Sequence, residues 1–185
     1  MKLTTSVGLA ILLFQASPLQ AIDNEPHGIG DAAFGMSIDE VKKHFPKVSP
    51  MVENQQELAY YTAGAKIPYK GLKSCKGVFL FFNNSFYQVA FDCSPRSAVE
   101  KVLTDEFGAP TTHCGGKNKH QTWVGEKSTV QMNCVNKGFN FGDNAMVAKA
   151  QAYIKHQQLK VRKKAAEGSA TSGKKAAKKP AGKAD

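Results

Sequence analysis

Two short apolar stretches, residues 77–82 and 86–92, lie on either side of the polar triplet Asn83-Asn84-Ser85. Short runs rich in Val, Phe and Tyr that are bounded by turn residues are typical of β-strands. Asn and Ser favour turns because their side chains bond to the nearby backbone, and Asn tolerates a positive φ. The pattern therefore predicts a β-hairpin with a three-residue loop.

Two cysteines mark the open end of this hairpin. With a three-residue loop, Cys75 lies directly opposite Cys93, within reach of a disulfide. A two-residue loop would set Cys75 against Asp92 instead, so the pairing depends on the length of the turn. Four cysteines allow three pairings, and if Cys75 pairs with Cys93, then Cys114 and Cys134 are predicted to form the second disulfide by elimination. The alternative is a metal site built from His113, Cys114, His120 and Cys134, whose spacing matches no familiar zinc pattern.

The predicted hairpin has one buried face and one face that can meet a partner. On the buried side the disulfide lies with Phe79, Phe81, Tyr87, Val89 and Phe91. The opposite side has polar ends around an apolar middle, as docking surfaces commonly do. We interpret its apolar residues as partner-binding: Val78, Leu80, Phe82 and Phe86. The alternative is that the helix of the second repeat or the long loops cover this face.

The only tryptophan of the chain lies in a second predicted hairpin. A loop at residues 125–127 places Trp123 on the polar face, where an exposed tryptophan would anchor a partner. We therefore add Trp123 to the partner-binding residues. A tighter turn of two residues would instead move it to the face of Val130 and Met132, where it would belong to the core.

Two capping boxes predict helix starts of matching chemistry. In Ser37 to Glu40 and in Ser97 to Glu100, the serine caps an amide and the glutamate three residues later reaches back. The second helix could begin earlier, with Ser94 as its cap. Apolar residues at helical spacing follow both boxes, which indicates two amphipathic helices.

Strand-like segments follow each predicted helix, so the order of one helix and three strands occurs twice. The predicted strands are residues 58–62, 77–82 and 86–92 after the first helix, and 121–124, 128–135 and 145–154 after the second. The last of them also suits a helix, and residues 63–72 and 136–144 are expected to be surface loops. We predict an α+β fold in which tandem helix-plus-antiparallel-strand repeats share one disulfide-stabilised sheet.

This layout resembles the fold of the β-lactamase inhibitory protein and of the related outer-membrane assembly lipoproteins. Besides element order, the resemblance rests on two short motifs, Phe34-Gly35-Met36-Ser37 and Phe107-Gly108-Ala109-Pro110, the second of which is followed by Trp123. It covers residues 30–154. Proteins of this fold bind other proteins without being enzymes, and the resemblance implies the same here. The chain lacks the lipid-bearing cysteine of the lipoprotein branch.

The first 21 residues are predicted to be a secretory signal peptide. Lys2 precedes an apolar run at residues 7–14, and Leu19-Gln20-Ala21 fits a cleavage site. The run is too short to span a bilayer, and no later stretch approaches the roughly 20 apolar residues that spanning requires. We therefore expect a periplasmic or secreted protein with no transmembrane segment in the mature chain. An uncleaved N-terminal anchor is the alternative.

The positive charge of the chain is concentrated at its C-terminal end. Residues 155–185 contain ten Lys/Arg and two acidic residues, whereas residues 22–154, the predicted α+β domain, carry fourteen against thirteen. Between residues 163 and 180 there is no Phe, Tyr, Trp, Leu, Ile or Val, so we expect residues 155–185 to be a disordered basic tail. Its predicted polyanion-binding residues are Lys160, Arg162, Lys163, Lys164, Lys174, Lys175, Lys178 and Lys179. A solubilising tail without a dedicated ligand is the alternative.

No residue pattern in the sequence predicts catalysis. Asp39 and Glu40 are neighbours on a predicted helix and therefore do not face each other. His113 and Cys114 would form a base and a nucleophile only if the thiol were free. We therefore predict a non-enzymatic protein that needs no metal and no cofactor.

Two binding functions follow from these patterns. The leading hypothesis is an exported binding protein that meets a protein or envelope partner through its sheet face. The alternative is binding of a polyanion, such as nucleic acid, anionic lipid or a cell-wall polymer, through the basic tail. An enzymatic function would require reduced cysteines.

Overall fold

The computed structural model describes residue 22 and residues 24–51, 57–136 and 138–175. Side chains are described throughout these ranges except at residues 73, 74 and 167–175. The predicted signal peptide, Lys178 and Lys179 lie outside the described residues.

Twelve elements follow one another along the described part of the chain. The strands are β1 (Gly28–Ile29), β2 (Ala32–Ala33), β3 (Ser49–Pro50), β4 (Leu58–Tyr69), β5 (Leu72–Phe82), β6 (Ser85–Asp92), β7 (His120–Val124), β8 (Ser128–Asn133) and β9 (Gly138–Asp143). The helices are α1 (Ile38–His44), α2 (Arg96–Phe107) and α3 (Asn144–Lys175).

Seven of the strands form one antiparallel sheet in the order β3-β4-β5-β6-β9-β8-β7. Helix α1 is followed by the meander β4-β5-β6, and α2 is followed by the meander β7-β8-β9. The last strands of the two meanders, β6 and β9, pair with each other in the middle of the sheet. The predicted α+β class and antiparallel sheet are therefore confirmed.

The turn between β5 and β6 has two residues, so the predicted three-residue loop is wrong. Asn83 and Asn84 have φ angles of 49° and 61°, as two-residue hairpin turns of type I′ require. Asn adopts this left-handed conformation more readily than most residues. The shorter turn places Phe82 opposite Ser85.

A β-bulge at Tyr87 then restores the predicted register. The pairing shifts by one residue between Leu80 and Phe81, which leaves Tyr87 without a partner on β5. Beyond the bulge, Gly77 lies opposite Phe91 as predicted. The disulfide between Cys75 and Cys93 forms with a Cα–Cα distance of 4.4 Å, and the predicted Cys114–Cys134 disulfide is present as well.

The helix starts differ in chemistry. Ser37 and Glu40 form the predicted capping box at α1. Helix α2 begins at Arg96 with Pro95 as its N-cap and has no side-chain cap, so the predicted box at Ser97 does not form. It ends at Gly108, as expected.

The segment after β8 differs most from the prediction. Residues 138–143, expected to be a loop, form strand β9, and residues 145–154, given as a strand or a helix, begin α3. The alternation that defines β9 is carried by Phe139 and Phe141, which are both buried. Strand β4 likewise continues to Tyr69 through part of a predicted loop.

Helix α3 continues to Lys175, so the predicted disorder from residue 155 onward is wrong for residues 155–175. Ala, Lys, Gln and Arg dominate its first twenty residues, and these are strong helix formers. Asp143 accepts a hydrogen bond from the Met146 amide at 2.8 Å and so caps the helix start. No helix within the described ranges is long and apolar enough to cross a membrane.

The sheet separates a large core from a small one. Helices α1 and α2 pack on its inner face, where the largest buried side chains are Trp123, Phe79, Phe81, Phe86, Phe139, Phe141, Leu103 and Met132. Helix α3 packs on the outer face over Leu58 and Tyr87. The bulge has therefore exchanged the two predicted faces of Phe86 and Tyr87.

The turn between β7 and β8 is held from two sides. The Glu25 carboxylate accepts hydrogen bonds from the backbone amides of Lys127 and Ser128. The Asn144 side chain, at the start of α3, donates to the Gly125 carbonyl at 3.2 Å and accepts from Thr129 at 2.7 Å. These bonds fix the hairpin that carries Trp123.

Candidate functional site

Two of the predicted partner-binding residues are not on the surface. Phe86 and Trp123 are both 0% exposed. The β7–β8 hairpin has the tighter of the two turns that the sequence allowed, so Trp123 lies opposite Val130 and faces the inner core. Its indole nitrogen donates to the Gly108 carbonyl at 2.9 Å. These two residues therefore stabilise the fold and cannot anchor a partner.

Two further predicted residues lie under α3. Leu80 and Phe82 are half-buried in the small core, and the Phe82 ring lies 5.7 Å from that of Tyr153. The Tyr153 hydroxyl donates to the Glu57 carboxylate at 2.7 Å, and this hydrogen bond raises the pKa of Tyr153. This part of the predicted face is thus covered by α3 rather than by α2 or a loop.

The rest of the outer face carries a row of half-buried, mostly polar residues. We call this the outer row: Thr62, Val78, Ala90, Asn140, Gln131 and Thr122, each paired with the next across β4, β5, β6, β9, β8 and β7. Beside it, Gln88 donates to Asn140 at 2.8 Å. Val78 is the one predicted partner-binding residue that remains on this open surface.

A groove of about 850 Å³ lies alongside the middle of the outer row, two residues further along β5, β6 and β9. Val135 at its rim is 82% exposed. Charged groups of both signs line it together with backbone and small side chains: Lys66, Lys76, Asp92, Ser94, Val135, Asn136 and Gly138. The sequence pattern missed this groove because its residues come from four separate segments.

Helix α3 divides into two parts at residue 157. Its proximal part, residues 144–157, packs on the sheet, whereas the side chains described in its distal part, residues 158–175, are all exposed. The exposed basic residues near the boundary are Lys155, Lys160, Arg162, Lys163 and Lys164. No acidic residue lies between Asp143 and Glu167. The predicted residues Lys174 and Lys175 also belong to the helix.

The basic side chains of α3 take no part in the ion pairs found in the described chain. Those pairs join Lys42 to Asp39, Lys70 to Glu106 and Lys101 to Asp105. Among the described side chains, no carboxylate therefore neutralises the charge on residues 155–164. It is available to anions in solution.

A small cleft of about 290 Å³ lies where α2 ends against the β4–β5 turn. Lys70 and Glu106 form an ion pair of 3.1 Å at this cleft. Burial, together with the Glu106 charge, raises the pKa of the Tyr69 hydroxyl above its usual range. The Tyr69 hydroxyl therefore stays protonated and is a poor nucleophile.

The disulfides differ in exposure. Cys75 and Cys93 are 0% and 1% exposed, whereas Cys114 and Cys134 are half-buried. Because Cys114 and Cys134 are bonded to each other, the alternative metal site with His113 would lack its two thiolates. Nor do the described residues contain a group of three His, Cys, Asp or Glu that could hold a metal ion.

Comparisons with known proteins give no match. No protein-family model, no curated protein and no solved structure is significantly similar to this chain. The resemblance to the β-lactamase inhibitory protein fold stays a prediction.

Proposed function

We propose that this protein is an exported, non-enzymatic binding protein whose distal α3 binds a linear polyanion. One observation carries the proposal. Five Lys/Arg residues within residues 155–164 of α3 are exposed, four of them beyond the contact of the helix with the sheet, and no acidic residue lies among them. Such a set of unneutralised cations attracts phosphate, sulfate or carboxylate groups of a polymer without reading a sequence.

The spacing of these charges suits a polymer. A helix rises about 1.5 Å per residue, so Lys155 and Lys164 are about 14 Å apart along the axis. Nucleic acids and sulfated polysaccharides present several anionic groups over such a length. No Phe, Tyr or Trp lies in residues 155–166, so base stacking on these rings does not contribute and we expect the binding to be mainly electrostatic.

The apolar residues of the distal part argue for a polymer rather than a lipid surface. Leu159 and Val161 are 54% and 68% exposed. At about 100° per residue they point to directions about 200° apart. Helices that lie in a membrane interface need one continuous apolar face, which this segment lacks.

The experiment compares two variants with equal loss of charge. The test variant replaces Lys160, Arg162, Lys163 and Lys164 with Gln, and the control replaces four exposed lysines of the folded part with Gln: Lys42, Lys43, Lys47 and Lys127. We expect heparin and duplex DNA to bind the test variant about tenfold or more weakly than the control. Equal weakening in both variants, or tight binding to anionic vesicles alone, would contradict the proposal.

We further propose that the scaffold consists of two tandem repeats and is periplasmic or secreted. The repeat interpretation is supported by the order α1-β4-β5-β6, interrupted only by the two-residue strand β3, followed by α2-β7-β8-β9, with β6 and β9 paired. Export is supported by two disulfides with no free cysteine among the described residues, since disulfides persist in oxidising compartments.

A protein or envelope partner at the outer row is the second candidate. The groove beside Val78, with Val135 exposed at its rim, is the observation that favours it. A photo-crosslinking residue placed at position 78 in cells should give a discrete protein adduct. The control is the same residue at position 43, where the exposed Lys43 lies on α1, which packs on the inner face of the sheet. Adducts at both positions, or at neither, would exclude this candidate.

A further inference from the structure

The second disulfide lies in a setting unlike that of the first. Cys75 and Cys93 belong to the inner core, but Cys114 and Cys134 are half-buried, and Cys134 is followed by exposed Val135. Cys114 packs against the inner core, so we expect a thiol reagent in solution to reach this disulfide from the side of Cys134. Access is one of the factors that set the rate of thiol–disulfide exchange.

A cation without a counter-ion lies against one of the two sulfurs. Arg96, the first residue of α2, places its Nη2 atom 3.6 Å from Cys114 Sγ. Its Nε atom is buried and has no hydrogen-bond partner. In the described ranges Arg96 takes part in no ion pair. A disulfide sulfur is only a weak hydrogen-bond acceptor, so in the oxidised protein it does little to stabilise the guanidinium charge.

The chain around Cys114 adds further positive charge. Residues 107–125 contain no Asp or Glu, and Lys117 and Lys119 are exposed there. A thiolate formed on Cys114 would therefore contact the Arg96 guanidinium. Residues 107–125 would place no carboxylate beside it. Neighbouring Arg and Lys residues stabilise a thiolate relative to a thiol.

We propose that Cys114–Cys134 is a thiol–disulfide exchange site that accepts electrons from a dithiol reductant. A thiolate of the reductant attacks Cys134 Sγ and forms a mixed disulfide with it. The Cys114–Cys134 bond breaks, and its electron pair leaves on Cys114 as a thiolate beside Arg96. The second thiolate of the reductant then attacks the reductant sulfur that is bonded to Cys134. This attack releases Cys134 as a thiolate, which takes a proton from water. The reductant is oxidised to a disulfide, and the two cysteines receive two electrons.

Exchange at this site would release a segment that covers the edge of the sheet. Residues 109–118 run beside β7, where the amides of Thr111 and Thr112 donate to the Thr122 carbonyl at 2.7 and 3.3 Å and the Thr122 amide donates to Thr112 at 3.1 Å. The disulfide ties Cys114 of this segment to the end of β8. Reduction removes that covalent tie, so these hydrogen bonds should open more often.

The experiment treats the oxidised full chain with limiting dithiothreitol, quenches it with acid and maps alkylated cysteines by mass spectrometry. We expect Cys114 and Cys134 to be reduced about tenfold or more faster than Cys75 and Cys93. A monothiol, glutathione, should be trapped as a mixed disulfide on Cys134. Equal reduction rates for the two disulfides, or glutathione found mainly on Cys114, would overturn the proposal.

Substitution of Arg96 separates its charge from simple exposure of the bond. Arg96→Gln should slow reduction of Cys114–Cys134 on the order of fivefold, because a thiol that ionises less readily leaves more slowly. Arg96→Lys should keep most of the rate, and Lys101→Gln, on the exposed side of the same helix, should keep all of it. An unchanged rate in a folded Arg96→Gln protein would also overturn the proposal. If that variant does not fold, the cysteine to which glutathione becomes attached in the native chain is the deciding test of the proposal.

Discussion

The proximal and distal parts of α3 belong to one helix but differ in what surrounds them. The proximal part turns Ala150 and Tyr153 toward the sheet and closes the small core over Leu58 and Tyr87. The distal part carries Lys160, Arg162, Lys163 and Lys164 into solvent. Contact with the sheet, rather than helix propensity, therefore decides which part stabilises the fold and which part is free to bind.

The largest effect is expected where the helix meets the sheet. Ala150 is 1% exposed, so Ala150→Asp would bury a charge without a partner and cost about 3 kcal/mol or more of the free energy of unfolding. The matched control is Ala152→Asp at an exposed position of the same helix, which should change stability by less than about 0.5 kcal/mol. Urea denaturation of both variants measures the difference. Similar midpoints for the two would show that the proximal part does not pack on the sheet.

Truncation of a side chain beneath the helix should have a smaller effect. Phe82 is half-buried against Tyr153, so Phe82→Ala should cost about 2 kcal/mol. The comparison is Leu159→Ala in the distal part, where 54% exposure leaves little packing to lose, and we expect a change below about 0.5 kcal/mol. Thermal unfolding followed by circular dichroism can rank them. A larger loss of stability in Leu159→Ala than in Phe82→Ala would mean that the stabilising contacts lie in the distal part of the helix, which would contradict this account.

The pH dependence of stability should also show that α3 buries Tyr87. Burial raises the pKa of Tyr87 to about 12. An unfolded tyrosine ionises near about pH 10, so the folded state favours the neutral phenol. The contribution of Tyr87 is fully present below about pH 10 and is lost as the pH rises from about 10 toward 12. Denaturant midpoints of the native chain should fall over this range more steeply than those of Tyr87→Phe, and parallel curves would contradict the burial of Tyr87.

The smallest effect on stability is expected in the distal part. Replacing Lys160, Arg162, Lys163 and Lys164 with Gln removes exposed charges that repel one another, so the unfolding midpoint should stay the same or rise slightly. The same substitutions should weaken heparin binding. A large fall in the unfolding midpoint would mean that these residues have a structural role.

The predicted disulfide between Cys75 and Cys93 is confirmed, although the predicted loop length and the predicted regular register near the turn are both wrong. The sequence pattern places Cys75 opposite Cys93 through a three-residue loop. The structure reaches the same pairing with a two-residue turn and a bulge at Tyr87, because the two shifts cancel. Turn residues and the alternation of apolar and polar residues are local signals. A bulge cannot be predicted from them, because it depends on which neighbours the side chains pack against in the folded protein.

Other predictions failed for the same reason. Gly138 to Asp143 contains turn-forming residues, yet pairing with β6 and β8 makes it a central strand. Trp123 could face either side until the turn length was known, and the bonds from Glu25 and Asn144 that hold this turn come from distant parts of the chain. By contrast, the α1 capping box and the stop at Gly108 depend on near neighbours only, and both were predicted.

The most direct test of the account is the salt dependence of duplex DNA binding by the native chain and by the variant with Gln at positions 160, 162, 163 and 164. Each cation that contacts a phosphate contributes about 0.9 to the slope of log affinity against log salt. We predict that the slope of the variant is smaller in magnitude by up to about 3.6, with unchanged unfolding. An equal slope for both proteins would show that the distal part of α3 does not contact the polyanion.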